Sequence, residues 1–160
     1  MKLYIKQKVF SWGDKFSIYD EAGNEVYHVE GEVFSFGKKL HLYDSAGNEL
    51  AFIQQKVLSW LPKYYINVNG ETIAEVVKEF TFFKHEYTVT NFGWKVHGDF
   101  FDHTYNISEG DTLVAGVEKE WFTWGDAYRI RIAPSKDVVA ALSVVLIIDA
   151  CIEAQQNNNN

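Results

Sequence analysis

The sequence has few of the residues that cross-link or interrupt a chain: one cysteine, one methionine and two prolines in 160 residues. The single cysteine, Cys151, excludes an intramolecular disulfide framework and is typical of a reducing compartment. Residues 1–6 alternate polar and apolar side chains and lack the apolar core of a secretory signal peptide. We therefore expect a cytoplasmic protein.

A basic character is also lacking, since the formal net charge is −7. Nucleic-acid binding needs several lysines or arginines facing phosphates and is therefore not expected. The same charge weakens, without excluding, attraction to an anionic membrane surface. The sequence contains no glycine-rich phosphate loop, no nucleophile-elbow serine and no His-Glu-x-x-His motif. These absences predict a non-enzymatic protein with no catalytic residue, no cofactor and no metal.

Aromatic residues, in contrast, are abundant at 16% of the chain. A chain of this length fits one domain that buries about 70% of the surface its unfolded form exposes. We therefore expect a single domain over residues 1–154. The last residues, 155–160, are polar and of low complexity and predict a disordered tail.

The longest apolar run covers residues 138–148, where ten of eleven residues are apolar and no polar face recurs. Its β-branched residues suit a strand, and a membrane span is a second alternative, although a span needs about 20 apolar residues. Pro134 and Ser135 predict a break followed by an N-cap, and Asp137 lies where a helix favours a carboxylate. A helix that is apolar all round must be buried. We therefore favour a buried helix over residues 136–154.

The rest of the chain repeats with a period of 24 residues. Residues 9–12 recur as 33–36 and 57–60, and the turn sequence at 19–25 recurs at 43–49. Alternating apolar residues followed by Ala-Gly-Asn or Asn-Gly are typical of β-hairpins, because these residues tolerate the positive φ of tight turns. Consecutive hairpins predict an antiparallel meander, which must close or pack on itself to hide its edges.

About twelve strands are expected, and an eleven-stranded barrel around a central helix is a known solution for enclosing such a helix. The predicted fold is therefore mainly β: a closed antiparallel barrel of about twelve strands, built from hairpin repeats and enclosing the hydrophobic C-terminal helix. A lipocalin-like carrier would instead need an empty barrel. The candidate strands cover residues 3–7, 15–19, 26–30, 33–36, 40–43, 50–55, 64–68, 72–79, 87–90, 95–100, 105–107 and 113–119, with a thirteenth candidate at 128–132.

Several motifs occur in a characteristic order over nearly the whole chain: Phe-Ser-Trp-Gly-Asp and Tyr-Asp-x-Ala-Gly-Asn-Glu hairpins, then the segments 94–100, 105–107, 114–121, 124–128 and 137–149. In this order the chain resembles the bacterial branch of the LURP-one-related family. That family lies in the Tubby C-terminal-like superfamily, which also includes phospholipid scramblases. The resemblance implies a twelve-stranded barrel around a hydrophobic C-terminal helix. It also implies binding of a phosphoinositide-like head group, association with a membrane, or binding of a protein partner.

Four lysines are candidate contacts for such an anionic head group. Lys15, Lys39 and Lys63 occupy the same position of successive repeats, and Lys38 is adjacent. If the repeats stack around a barrel, these lysines emerge at one rim, where they could hold an anionic head group as point charges. The alternative is that they are solvated turn lysines. We thus expect a non-enzymatic binding or scaffold protein, cytoplasmic or peripheral to the membrane, that contacts phospholipid or a protein partner on its outer surface.

The large aromatic residues Trp12, Phe36, Trp60 and Trp124 also recur with the repeat. They could form a belt that faces a membrane. We favour the alternative that they plug the end of the barrel and pack against the helix.

An enzyme with an unrecognised, metal-dependent site is the alternative function. Two histidines and two carboxylates fall within residues 97–103, namely His97, Asp99, Asp102 and His103. Metal binding requires these ligands to converge, whereas a strand end followed by a turn explains the same residues. For Asp149 we expect exposure or backbone hydrogen bonds at the barrel mouth, with a side-chain partner if the residue is buried. Cys151 is expected to be a buried, inert thiol.

Overall fold

The computed structural model describes residues 1–6, 15–80, 85–122 and 125–160, with only the backbone described at residues 121, 122, 125 and 126. The described chain forms twelve antiparallel strands followed by one helix. The elements are β1 Lys2–Lys6, β2 Lys15–Tyr19, β3 Glu25–Gly31, β4 Lys39–Asp44, β5 Glu49–Gln55, β6 Lys63–Val68, β7 Glu71–Phe80, β8 His85–Val89, β9 Trp94–Asp99, β10 Thr104–Glu109, β11 Thr112–Phe122, β12 Gly125–Ile132 and α1 Val138–Asn158.

The strands form a meander in which every strand pairs with its neighbours in sequence, and β12 closes the barrel by pairing with β1. At the closure, Leu3 lies opposite Ile130, and on the other side of β1 Ile5 lies opposite Ile18. Closure leaves no unpaired edge strand, which removes the risk of edge-to-edge association. The predicted closed barrel of hairpin repeats is confirmed.

The strand prediction was wrong in one place. Residues 33–36 form part of a loop between β3 and β4 rather than a strand, and the twelfth strand is the segment at the C-terminal end of the barrel, β12. Val33, Phe34 and Phe36 are apolar like the residues of a strand, but their side chains are exposed to solvent instead of packing in the core. Apolar character alone does not separate a buried strand from an exposed apolar loop.

The repeated turn sequences form matching hairpin turns. In the first turn, Asp20 Oδ1 accepts hydrogen bonds of 2.9 Å from the backbone N–H groups of Ala22 and Asn24. Asp44 makes the same bonds one repeat later, at 3.0 and 2.8 Å. Each aspartate also accepts a bond from the Asn side chain four residues on, and chiefly this bond holds the pKa of each carboxyl below its usual value. The repeat in the amino-acid sequence therefore corresponds to a repeat in the structure.

The helix fills the barrel. Its residues from Ala140 to Ile148 are buried, as are Ala150, Cys151 and Ile152. Inward-facing strand residues such as Ile53, Ile66 and Val96 have no exposed surface and pack around the helix in one core. Burying a side chain of this size contributes about 1.5–3 kcal/mol. Because the helix occupies the interior, the empty barrel of a lipocalin-like carrier is excluded.

By length and composition alone the helix is long and apolar enough to cross a membrane, yet most of it is buried inside the barrel. Its N-cap is Asp137, whose carboxylate accepts a hydrogen bond of 2.9 Å from Ala140 N–H. The predicted N-cap, Ser135, was wrong. An N-cap needs an extended backbone, which Asp137 has, whereas Ser135 has a left-handed φ of 64°.

The C-terminal boundary also differs from the prediction. The helix continues to Asn158, so most of the expected disordered tail at 155–160 is helical. The turn directly before this extension is held at the barrel mouth by two contacts: Ile152 is buried, and the carboxylate of Glu153 forms an ion pair with Lys38. The additional helical residues continue from this anchored turn.

The two ends of the barrel differ. The helix begins at the entry end, which carries the hairpin turns 20–24, 45–48 and 110–111, and where Lys136 pairs with Glu109. It ends at the exit end, which carries the loops 32–38, 56–62 and 100–103. Exposed large apolar side chains are concentrated at the exit end, while Leu113 is an example at the entry end.

We expect the replacement Asp137→Ala to destabilise the protein by about 1 kcal/mol, because it leaves the Ala140 N–H without its acceptor. The measurement is the free energy of unfolding in urea. Asp137→Asn is the matched control and should retain most of the stability, since the amide oxygen can accept the same bond. Equal stability of wild type and Asp137→Ala would contradict this assignment of the cap.

Candidate functional site

Four large apolar side chains protrude from two neighbouring loops at the exit end. Phe34 and Phe36 lie in loop 32–38, and Leu58 and Trp60 occupy the equivalent positions of loop 56–62. Phe34, Leu58 and Trp60 are essentially fully exposed, at 101%, 96% and 102%, and Phe36 is 78% exposed. We call these four side chains the apolar platform. Such an exposed apolar group on a protein surface is a candidate interaction site.

Loop 32–38 is hydrogen-bonded to the last residue of β5, which directly precedes loop 56–62. Lys38 N–H donates to the Gln55 side-chain oxygen at 2.9 Å, and Gln55 N–H donates to the Lys38 carbonyl at 2.8 Å. A Cβ at Gly37, which has a φ of 81°, would lie only 2.7 Å from Val57 Cγ1, so only glycine allows the loops to approach this closely. The platform is thus carried by loops whose bases are joined by hydrogen bonds and close packing.

The prediction that the recurrent aromatic residues plug the barrel was wrong for Phe36 and Trp60, because both are directed to solvent. The helix already fills the interior, which leaves no space for a plug at this position. Exposure is the placement that a membrane-facing belt requires. Trp12 and Trp124 lie outside the described residues.

The lysines of the predicted rim lie at one end of the barrel. Lys15, Lys39 and Lys63 are the first residues of β2, β4 and β6, and so emerge at the exit end. Each lies near a glutamate of an adjacent strand or loop, with Nζ-to-carboxylate distances of 2.6, 3.7 and 3.3 Å. Lys38 is buried and pairs with Glu153. Because the four lysines are paired with carboxylates, their charge is largely neutralised locally.

A cleft of about 740 Å³ opens at the same end, where β7, β8 and β9 meet the C-terminal part of the helix. Its size is within the range of small-molecule sites. Gly98 has a φ of 144°, and a Cβ there would lie 2.4 Å from the Thr104 carbonyl oxygen, so a larger residue would distort the β9–β10 pair. The lining residues are Lys78, His85, Tyr87, His97, Gly98, Asp99, Phe100, Phe101, Ile152 and Gln155.

Lys78 is the residue of this cleft that the sequence analysis did not identify. It lies in β7 on the same face as Ala74 and Val76, so it points inward, and only 3% of its surface is exposed. Burial lowers the pKa of its ammonium group. The signal was present in the sequence, because a lysine in phase with the apolar residues of a strand occupies a core position.

The residues of the alternative metal site do not converge. His97 lines the cleft and its Nδ1 lies 3.3 Å from Glu86 Oε1. Asp99 Oδ1 accepts a bond of 3.1 Å from Asp102 N–H, which stabilises the turn. His103 is buried and stacks on Tyr128. Among the described residues, no group of three or more histidine, cysteine, aspartate or glutamate side chains is arranged to hold a metal ion.

Asp149 is enclosed rather than exposed, and its partners are side chains rather than backbone groups. It accepts a hydrogen bond from the hydroxyl of Tyr128, and its Oδ1 lies 3.4 Å from His103 Nε2. Burial, followed by the nearby Asp149 carboxylate, raises the pKa values of Tyr105 and Tyr128 well above normal. The expectation that a buried Asp149 must be paired is confirmed. The predictions that Asp149 is exposed or bonded to backbone groups were wrong.

Cys151 is buried in the helix, as expected. Burial raises the pKa of its thiol to about 11, and this effect exceeds the opposing effect of its hydrogen bond with Tyr87. A thiol with so high a pKa carries little of the nucleophilic thiolate at neutral pH. Cys151 therefore contributes to the core and not to a reactive site.

We expect Asp149→Ala to destabilise the protein by about 1–3 kcal/mol, because it removes the acceptor of the buried Tyr128 hydroxyl and the partner of His103. Asp149→Asn is the control, and it should cost less because it retains an acceptor oxygen. Urea unfolding measures both variants. If Asp149→Ala were as stable as wild type, the Asp149 contacts would contribute no net stabilisation.

The chain resembles known proteins over nearly its whole length. The LURP-one-related family model matches residues 1–149. An uncharacterized protein of Bacillus subtilis (strain 168), YxjI, is 37% identical over 149 residues, which cover 93% of this chain and 92% of the relative. The X-ray structure of a protein from Arabidopsis thaliana matches with a TM-score of 0.69 at 18% identity, covering 94% of this chain and 90% of that one, which shows a common fold. The chain therefore belongs to the LURP-one-related family.

Proposed function

We propose that this protein is a non-enzymatic binding protein that docks its exit end on a phospholipid surface. The main support for the proposal is the apolar platform, whose four side chains are exposed to solvent on two neighbouring loops with hydrogen-bonded bases. Exposing apolar side chains to water does not stabilise a protein, whereas aromatic residues are favoured at the boundary between lipid and water. The protein would then be cytoplasmic and peripheral to the membrane.

The energetics fit reversible docking. Burying four large apolar side chains contributes about 6–12 kcal/mol in total at about 1.5–3 kcal/mol each. Association costs about 4 kcal/mol or more in lost freedom of motion. The remainder of about 2–8 kcal/mol corresponds to dissociation constants between tens of millimolar and about micromolar. The protein would thus move between the membrane and solution instead of being anchored.

Charge contributes less to this proposal than apolar contact. The candidate head-group residues Lys15, Lys38, Lys39 and Lys63 flank the platform at the same end, which favours anionic lipid. However, each is paired with a glutamate, and the net charge of −7 opposes approach to an anionic surface. A lipid phosphate must compete with these glutamates. We therefore expect binding to depend more on the platform than on salt concentration.

A protein partner on the same platform is the competing occupant. Lipid is favoured because the apolar side chains extend individually from loop tips, which suits insertion between lipid head groups more than a flat contact with a protein. The metal-dependent enzyme remains a hypothesis without a convergent ligand cluster in the described part of the chain.

The test is co-flotation with vesicles of phosphatidylcholine and phosphatidylserine at low salt. Wild type should float, and the double variant Phe34→Ser/Trp60→Ser should bind at least tenfold more weakly, because two of the inserted side chains are lost. Leu113→Ser is the matched control, since it removes an exposed apolar side chain at the opposite end, and it should float like wild type.

Two outcomes contradict the proposal. One is wild-type protein that does not float with these vesicles at low salt. The other is a double variant that floats as well as wild type. If wild type instead forms a dimer that the double variant loses, the occupant of the platform is a second copy of the chain and not lipid.

A further inference from the structure

The cleft at the exit end contains a buried lysine, Lys78, that has no carboxylate partner among the described residues. Within the described residues, no aspartate or glutamate oxygen lies within ion-pair distance of Lys78 Nζ. Lys38 is a useful comparison within the same chain, because it is buried at the same end but pairs with Glu153. An unpaired buried charge is costly to a folded protein. Such a cost, at the wall of a cleft, indicates a group reserved for a ligand.

Aromatic rings supply only part of what the ammonium group needs. Lys78 Nζ lies 5.5 Å from the centre of the Phe80 ring and 5.8 Å from that of Tyr87. Cation–π contacts at these distances attract the charge but accept none of its three N–H donors as an oxygen would. In the part of the chain that the structure describes, no oxygen accepts a hydrogen bond from Nζ. An anionic oxygen from a ligand would satisfy these donors.

The walls of the cleft are of two kinds. Phe100, Phe101 and Ile152 form an apolar side, and Phe100 is fixed by an edge-on contact with Tyr87 at 4.9 Å between ring centres. His97 and Gln155 add polar side chains to the lining, and His97 Nδ1 lies 3.3 Å from Glu86 Oε1. Asp99 also lines the cleft but is exposed, so solvent screens its charge more than that of the buried lysine.

We propose that this cleft binds one amphipathic anion, with a phosphate or carboxylate head on Lys78 and an apolar body against Phe100, Phe101 and Ile152. The inference goes beyond docking on a membrane, because it concerns a site for a single molecule and does not depend on the apolar platform. The same chemistry occurs in an acidic lipid with one exposed chain and in a soluble organic acid. The two sources are separated by the test.

The probe is octyl phosphate below its micellar concentration, titrated calorimetrically at neutral pH without vesicles. Wild type should bind it, and Lys78→Met should bind at least tenfold more weakly, because methionine keeps the length of the side chain but not its charge. Lys78→Arg should retain most of the affinity. Lys2→Met is the control, since Lys2 is an exposed lysine of the entry end that pairs with Glu21, and it should not change binding.

The neutral probe 1-octanol and inorganic phosphate separate the contributions of body and head. Both should bind at least tenfold more weakly than octyl phosphate. Amide chemical shifts in wild type provide a measurement that does not depend on a variant folding. Octyl phosphate should shift the amides of Lys78, Phe101 and Ile152 and leave that of Leu113 unchanged.

Three results would overturn the proposal: no binding of octyl phosphate by wild type, equal binding of octanol, or equal binding by a folded Lys78→Met variant. The Phe34→Ser/Trp60→Ser variant should keep its affinity for octyl phosphate, so failure of membrane docking and failure of this site are distinguishable.

The source of the ligand follows from flotation with vesicles that contain lysophosphatidic acid. If this lipid increases the flotation of wild type but not of Lys78→Met, the ligand is a membrane lipid. If lysophosphatidic acid causes no increase that depends on Lys78, although octyl phosphate binding does depend on it, the ligand is a soluble acid. Both results support the anion site.

Discussion

A helix that is apolar on every side cannot be left against water, and the rest of the structure follows from enclosing it. Twelve strands provide a barrel wide enough for a helix about 10 Å across, and closure pairs every strand edge. The inward residues of the strands and the buried residues of α1 form one continuous core. The barrel and the helix are therefore a single cooperative unit, in which neither part has a dry environment without the other.

The same constraint moves any binding chemistry away from the interior. Three polar side chains of the helix have different partners: Ser143 Oγ donates to the Val139 carbonyl at 2.8 Å, Asp149 Oδ2 accepts from the Tyr128 hydroxyl, and Glu153 pairs with Lys38. Along the helix, these side chains become more polar towards the exit end, from a serine to two carboxylates. There the barrel also presents the apolar platform and the cleft that contains Lys78. The proposed docking surface and the proposed ligand site thus both lie where the helix leaves the barrel.

Features encoded by local patterns could be predicted from the sequence. The hairpin repeats, the closed barrel and the helix follow from alternation, turn residues and an unbroken apolar run. The outward direction of Phe36 and Trp60 could not be predicted, because apolar loop residues have no periodicity that distinguishes inside from outside. The contact of Asp149 with His103 joins residues far apart in sequence and needs the barrel geometry. Lys78 could have been found from its phase in β7.

If α1 is the enclosed core of the barrel in the intact protein, hydrogen exchange of its backbone amides should show it. We expect the amides of residues 140–152 to exchange only through global unfolding, with protection equal to that of the slowest strand amides. Faster exchange of these helix amides while the strands stay protected would contradict it. The helix would then leave the barrel independently, and the interior would be open to a ligand.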